Sequence, residues 1–373
     1  MTDVYRNALP QLSGEVFLTD SGLETDLIFN EGFELPEFAS FVLVDDARGV
    51  TALDAYFRRH ADIAGQHGCG IVLDAPTWRA SRDWGSRVGY SAAETRRANE
   101  SAVQLLARVR SDYAAGAPVV VSGCVGPRAD AYRRAECMTE DEAEDYHREQ
   151  IGVLAATDAD LIHAMTLTYA AEAIGMVRAA AGAGVPVAVY FTTETDGRLP
   201  DGTSLADAIA AVDGATGGTP VYYGVNCAHP AHFEAALPGG VAGARVRSVR
   251  ANASRKSHAE LDESPDLDAG NPAELARDYV RLRARHPGIT ILGGCCGTDA
   301  RHVQAIADAC LPAGGAEPAE LRARRERVAG ARQPFQHTRR ERRITSAALT
   351  AITTRRRMPP VAAITASPTS ARH

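Results

Sequence analysis

Short runs of β-branched and aliphatic residues recur along the chain at 16–20, 71–74, 118–123, 160–165, 185–191, 220–226, 245–252 and 288–292, each closing on small, polar or Gly/Pro residues. Between most of them lie alanine-rich stretches, such as 92–107, 141–155, 170–181 and 272–285, where apolar positions return at helical spacing. Strands alternating with helices predict a parallel sheet. Eight such units over roughly 300 residues fit a single (β/α)8 TIM barrel, an α/β fold, better than an open doubly wound sheet. The G-x-G-x-x-G fingerprint of the open alternative is absent after the first strand.

In a barrel of this kind all strand C-termini open on one face, where active sites are built. The residues at or just past the runs are chemically rich: Asp20, Asp74, Cys124, Thr166, Thr192, Cys227, Asn252 and Cys295. Strand ends always meet polar loops, so no single one of these carries weight. Their convergence predicts an active face.

Composition narrows the class. The 373 residues are 45% hydrophobic and 23% charged, as in a soluble globular chain. No apolar run approaches the ~20 residues of a bilayer span, so no membrane partner is expected. The opening MTDVYRNALPQLSGEVF lacks the basic and apolar regions of a secretory signal, and a cytoplasmic protein is expected. Residues 313–373 hold 13 Arg against four Glu and no Asp, nine charges positive, which leaves residues 1–312 at −16 within a chain of net −7. An acidic body argues against a nucleic-acid-binding core, which would offer phosphate a basic face, and no nucleic-acid partner is expected. The expected division is a barrel over 1–312 and a basic, disordered extension over 313–373.

The seven cysteines, an odd number, argue for reduced thiols rather than a disulfide framework. Gly293-Gly294-Cys295-Cys296-Gly297-Thr298 directly follows an apolar run. Adjacent residues on an extended strand point in opposite directions, so both thiols can face one point only where the backbone turns sharply, as flanking glycines permit. Cys227 closes another strand, in Tyr223-Gly224-Val225-Asn226-Cys227. Three thiolates from two strand ends would make a metal site, and soft sulfur favours Zn2+ over magnesium or calcium. Structural zinc is closed by four protein ligands, whereas three leave a position for substrate. A thiol bound there loses its proton and becomes a nucleophile at neutral pH. Cys69, Cys137 and Cys310 lack such a setting and are expected in packing roles. Cys124 is expected to line the site without ligating, and His229 and His232, tight about Pro230, to stay outside the ligand set.

These motifs resemble those of the homocysteine S-methyltransferase family, which includes betaine- and S-methylmethionine-dependent enzymes and the homocysteine domain of cobalamin-dependent methionine synthase. The likeness covers nearly all of residues 15–311. Asp20-Ser21-Gly22-Leu23-Glu24-Thr25-Asp26-Leu27 is similar to the family's Asp-Gly-Gly strand end and the Thr-Glu-Leu turn after it. Thr77-Trp78 is similar to its Thr-Tyr turn, and residues 123–127 to its Gly-Ser-x-Gly-Pro segment. Its most specific motifs, Val-Asn-Cys and Gly-Gly-Cys-Cys-Gly-Thr, stand intact at 225–227 and 293–298. The resemblance implies that Cys227, Cys295 and Cys296 bind zinc. It implies an acceptor site formed by Asp20, Ser21, Gly22, Glu24, Thr77, Met165, Thr166 and Asn226. The implied reaction moves a methyl group from a small onium donor (S-methylmethionine, S-adenosylmethionine or a betaine) to the zinc-bound thiol, homocysteine giving methionine. The aromatics expected near the mouth are Trp78, Trp84, Tyr90, Tyr169, Tyr222 and Tyr223, and of these Trp78 and Tyr169 are the faces expected to attract a cationic donor. The expected partners are these small molecules; the oligomeric state is left open.

Two positions depart from the family. Ser21 replaces a glycine and narrows the first loop. After strand four the family carries Glu-Thr, the glutamate receiving the substrate's ammonium; here the pair is Met165-Thr166, while a later family glutamate is kept as Glu172. A buried charge without a partner costs on the order of several kcal/mol. Either another carboxylate (Asp74, Glu24 or Glu194) substitutes, or the acceptor is a different thiol, or the barrel is a non-catalytic zinc- or thiol-binding protein.

Overall fold

The eight apolar runs become eight parallel strands that close into a barrel in sequence order. They are β1 (Phe17–Thr19), β2 (Gly70–Asp74), β3 (Val119–Val125), β4 (Leu161–Leu167), β5 (Val187–Phe191), β6 (Tyr223–Asn226), β7 (Val246–Ala251) and β8 (Ile291–Gly294). The computed structural model describes residues 5–311 except 115, 130–136, 263 and 265. The extension expected over 313–373 lies outside the described residues. The ring closes where β1 pairs with β8 through Phe17↔Ile291 and Leu18↔Leu292.

Side chains alternate across each strand. Phe17, Val72, Val120, Leu161, Met165, Ala188, Tyr190 and Ile291 fill the barrel interior together with Cys124 and Tyr222. Their neighbours Leu18, Ile71, Val121, Ile162, Val189, Val249 and Leu292 face the helices in the main core. The N-terminal segment closes the end opposite the site. Leu9 packs into the interior cluster, and the Arg6 guanidinium donates to the carbonyls of Ala155, Thr157 and Ala159. The Tyr5 N–H donates to Asp160, which also pairs with buried Arg110.

Several of the longer helices start on side chains that satisfy first-turn N–H groups. Ser91 with Glu94 and Thr139 with Glu142 form reciprocal capping boxes on Ala92–Asp112 and Glu140–Ala155. Asn271 caps Pro272–Arg285, whose bounds match the sequence expectation. Among the described residues no helix is long and apolar enough to cross a membrane.

Two strand ends differ from the sequence reading. The last apolar run spans 288–292, but the hydrogen-bonded strand is Ile291–Gly294, so Gly293 and Gly294 belong to the strand and not to the turn. A β-carbon at Gly293 would lie 1.8 Å from Thr19 Oγ1, and one at Gly294 would lie 2.0 Å from Thr298 Oγ1. The strand passes there only because it carries no side chains. Strand β4 runs on to Leu167 through an irregularity between Ala164 and Leu167, where Thr166 takes φ +62°.

Candidate active site

Cys227 follows β6, and Cys295 and Cys296 follow β8. Their three sulfurs lie within 4.8 Å of one another, and they form the one such cluster of potential metal ligands found among the described residues. The Cys227 and Cys296 sulfurs are 3.3 Å apart. Tetrahedral zinc bound ~2.3 Å from each sulfur would set them about 3.8 Å apart, so the trio fits that ion in spacing and in softness. Hydrogen bonds from the Cys227 and Cys296 thiols, with the charge of Arg250, hold the Cys295 thiol well below its ordinary range. The Cys227 thiol, sharing those bonds and buried, is pushed up. Cys124 lies outside the trio, and burial pushes its thiol up. Cys69 and Cys310 are buried elsewhere and Cys137 is exposed. His229 and His232 instead serve the local chain: His229 Nδ1 accepts from the Ala231 N–H, and His232 Nε2 contacts the Arg255 carbonyl.

Strong local constraints set the trio. Cys227 itself adopts φ +58°, and its carbonyl accepts from Asn252 Nδ2 and His258 Nε2. The Cys295 N–H donates to Ala251 O of β7. The Cys295 carbonyl accepts from both the N–H and the hydroxyl of Thr298. The β1 loop is clamped onto this turn. The Gly22 N–H donates to Thr298, and the Gly297 N–H donates to Thr25 Oγ1. A β-carbon on Gly22 would lie 2.4 Å from the Cys295 carbonyl oxygen.

Beneath the sulfurs lies a polar layer inside the barrel. Arg250, 5% exposed, pairs with Asp20 and with Asp74, and its Nε donates to Gly294 O. His163 donates from Nδ1 to Asp74, and its Nε2 accepts from the Tyr222 hydroxyl at 2.6 Å. Burial lowers the His163 pKa to about 3, which keeps the ring neutral. Burial raises Asp20 to about 6 despite the opposing pull of Arg250. The sequence reading missed Arg250. The available signal was an arginine two residues after an interior-facing serine on β7, on the same face as strand-end aspartates.

The other expected residues divide. Asn226 and Thr166 meet: the Thr166 N–H donates to Asn226 Oδ1, and Asn226 Nδ2 donates to Thr166 Oγ1 at 2.8 Å and faces Cys295 Sγ at 3.9 Å. Met165 fills the interior beside Cys124. The Ser21 hydroxyl bonds Tyr56 and His60 of helix Ala47–Gln66, so the extra side chain is absorbed by the helix layer. The Thr77 hydroxyl donates to Cys124 O and acts as a brace. Trp78 packs against the interior cluster with the Arg79 guanidinium 5.0 Å from its ring centre. The Tyr169 hydroxyl accepts from the Met138 N–H. Glu172 is buried and accepts from the Arg128 N–H and His147 Nε2. Tyr222 and Tyr223, expected at the mouth, are fully buried: Tyr222 lies inside the barrel on His163, and Tyr223 stacks on Phe191 and donates to Asp213.

Known proteins share this arrangement of strands. The sequence model of the homocysteine S-methyltransferase family matches residues 19–310. The chain belongs to the homocysteine S-methyltransferase family. It is an enzyme, a methyltransferase. Within the family, it is 26% identical over 241 residues to homocysteine S-methyltransferase YbgG of Bacillus subtilis, covering 59% of this chain and 72% of that one. It is 26% identical over 334 residues to mouse betaine–homocysteine S-methyltransferase 1, covering 82% of this chain and 75% of the relative. The fold is that of the Escherichia coli homocysteine methyltransferase MmuM in its oxidized form, with a TM-score of 0.65 at 20% identity, covering 82% of this chain and 99% of that one. The metallated form of MmuM superposes with a TM-score of 0.62 at the same identity, covering 81% and 98%.

Proposed function

We propose that this methyltransferase is zinc-dependent, with Cys227, Cys295 and Cys296 as ligands, homocysteine as acceptor and a small onium compound (S-methylmethionine, S-adenosylmethionine or a betaine) as donor. The observation that carries the reading is the gathering of three sulfurs, from two separate strand ends, within 4.8 Å. Family membership supports homocysteine over another thiol and over a non-catalytic barrel. Zinc bound to the trio would supply Lewis acidity that lowers the pKa of an acceptor thiol.

The chain's own residues do the positioning. Asn226 faces Cys295, Thr298 fixes the Cys295–Cys296 turn, and the β1 loop is fastened to that turn at Gly22. Trp78 and Tyr169 are the aromatic faces proposed for the donor. In the transfer, the acceptor sulfur forms a bond to the methyl carbon. The electron pair of the onium–methyl bond stays with the donor's sulfur or nitrogen, which leaves neutral. Opposite charges are quenched along this path, so a site that strips water from both partners lowers the barrier. The test is a mass-spectrometric screen of zinc-loaded protein with homocysteine against each onium donor in turn. Methionine formed with at least one donor is expected. Methylation of other thiols only, with homocysteine untouched, would overturn the acceptor.

A further inference from the structure

Met165 stands where the family resemblance implies a carboxylate for the acceptor's ammonium, and the structure separates the candidate replacements. Asp74 is engaged by Arg250 and His163 beneath the sulfurs. Glu194, with 39% of its side chain exposed, lies on the loop after β5 beside His258. Asp20 is paired with Arg250. Glu24 is placed differently. It sits between Gly22, which presses on the Cys295 carbonyl, and Thr25, whose hydroxyl accepts the Gly297 N–H, so its turn is fastened to the sulfur-bearing turn on both sides. The Ser40 hydroxyl donates to Oε1 at 2.8 Å and orients the carboxylate; no other side chain is bonded to it among the described residues.

We propose that Glu24 receives the ammonium group of the acceptor, taking over at the β1 loop what Met165 cannot do at the end of β4. The assignment rests on the homocysteine reading above. Glu24 stands close enough to Cys295, Cys296 and Cys124 for its charge to act on all three thiols. Cys124 in turn packs in the same interior cluster as Met165. The charge balance points the same way. Asp20, Asp74 and Glu24 face a single guanidinium, Arg250, and His163 is neutral. Burial raises the Glu24 carboxyl, with Arg250 only a minor opposing influence. An arriving ammonium supplies the missing cation, whereas a thiol without an amine leaves Glu24 desolvated and uncompensated.

The test compares homocysteine with 4-mercaptobutyrate, the same thiol acid without its amine, by calorimetric titration of zinc-loaded protein. The wild type is expected to prefer homocysteine by about tenfold or more, as a charge-assisted hydrogen bond supplies. Glu24→Gln is expected to cut that preference to within about threefold, because it weakens homocysteine and relieves the uncompensated charge that penalises 4-mercaptobutyrate in the wild type. The double variant Glu24→Gln, Met165→Glu is expected to regain it. A Gln variant that keeps the full preference, or a wild type with none, overturns the assignment while leaving a thiol site intact. Binding of neither thiol by the wild type overturns the parent reading, and the assignment with it. The wild-type comparison stands even if a variant folds poorly.

Discussion

Asn226 holds Thr166 at two points, accepting its backbone N–H and donating to its hydroxyl, and so fixes a β-branched residue at φ +62° between two active strands. A non-glycine residue in that region costs about 1–3 kcal/mol and persists only where its surroundings impose it. Here the restraining amide also reaches toward Cys295, so the strain is tied to the sulfur cluster.

Asn226→Ala should therefore destabilise the protein by about 1–3 kcal/mol, since it leaves two buried groups on Thr166 without partners. Adding Thr166→Gly should recover part of that loss, because glycine adopts the left-handed backbone freely. Urea unfolding of the two variants checks this, and a double variant less stable than the single one would count against the strain.

Gly22→Ala should weaken both the fold and metal binding. Its β-carbon would lie 2.4 Å from a backbone oxygen at Cys295 and 2.7 Å from Thr25 Oγ1, and backbone yields less readily than a side-chain tip. Overpacking of this kind costs about 1–3 kcal/mol. Zinc content by atomic absorption should fall together with the melting temperature.

Cys295→Ser or Cys296→Ser should strip most of the zinc and abolish methyl transfer while leaving the far-ultraviolet dichroism unchanged. Cys124→Ala is the control: its thiol stands outside the trio, and stoichiometric metal should remain. A fully active, zinc-free Cys296→Ser protein would contradict the assignment.

Acid should act through buried imidazoles. Folded His163 titrates at about 3 and His60 at about 4 because burial disfavours the charged ring, against an ordinary 6.5. Below 6.5 the unfolded chain takes up protons that the folded chain refuses, so the stability they contribute is complete above 6.5 and declines as the pH falls, toward 4 for His60 and toward 3 for His163. The slope is at most ~1.4 kcal/mol per pH unit for each ring. Asp20 works the other way: raised from 3.8 to about 6, it favours the folded chain at low pH and loses that contribution as pH rises through 6. Imidazole NMR should find His163 and His60 still neutral at pH 5; titration of either near 6.5 in folded protein would rule this out.

The periodicity of apolar runs was enough to specify the barrel, because each strand is bounded by residues that end it. The sulfur trio could be read from Val225-Asn226-Cys227 and Gly293-Gly294-Cys295-Cys296 because few other reasons exist to place adjacent cysteines among glycines. Arg250 could not. Its partners Asp20 and Asp74 lie 230 and 176 residues away, and only the register of β7 against β8 turns it inward. Tyr222 and Tyr223 were misplaced for a related reason: aromatic residues before a strand end look the same in sequence whether they face the mouth or the core. The Gly293–Gly294 pair was read as part of a turn because the oxygens of Thr19 and Thr298 that forbid a side chain there come from distant or looping chain.

Strand β8 both completes the ring against β1 and carries two of the three sulfurs. A chain still emerging from the ribosome therefore cannot assemble the trio until its final strand has docked beside its first. Capture of a thiophilic ion would then mark the end of barrel assembly, and a molecule cut short before Ile291 would lack the means to begin its chemistry.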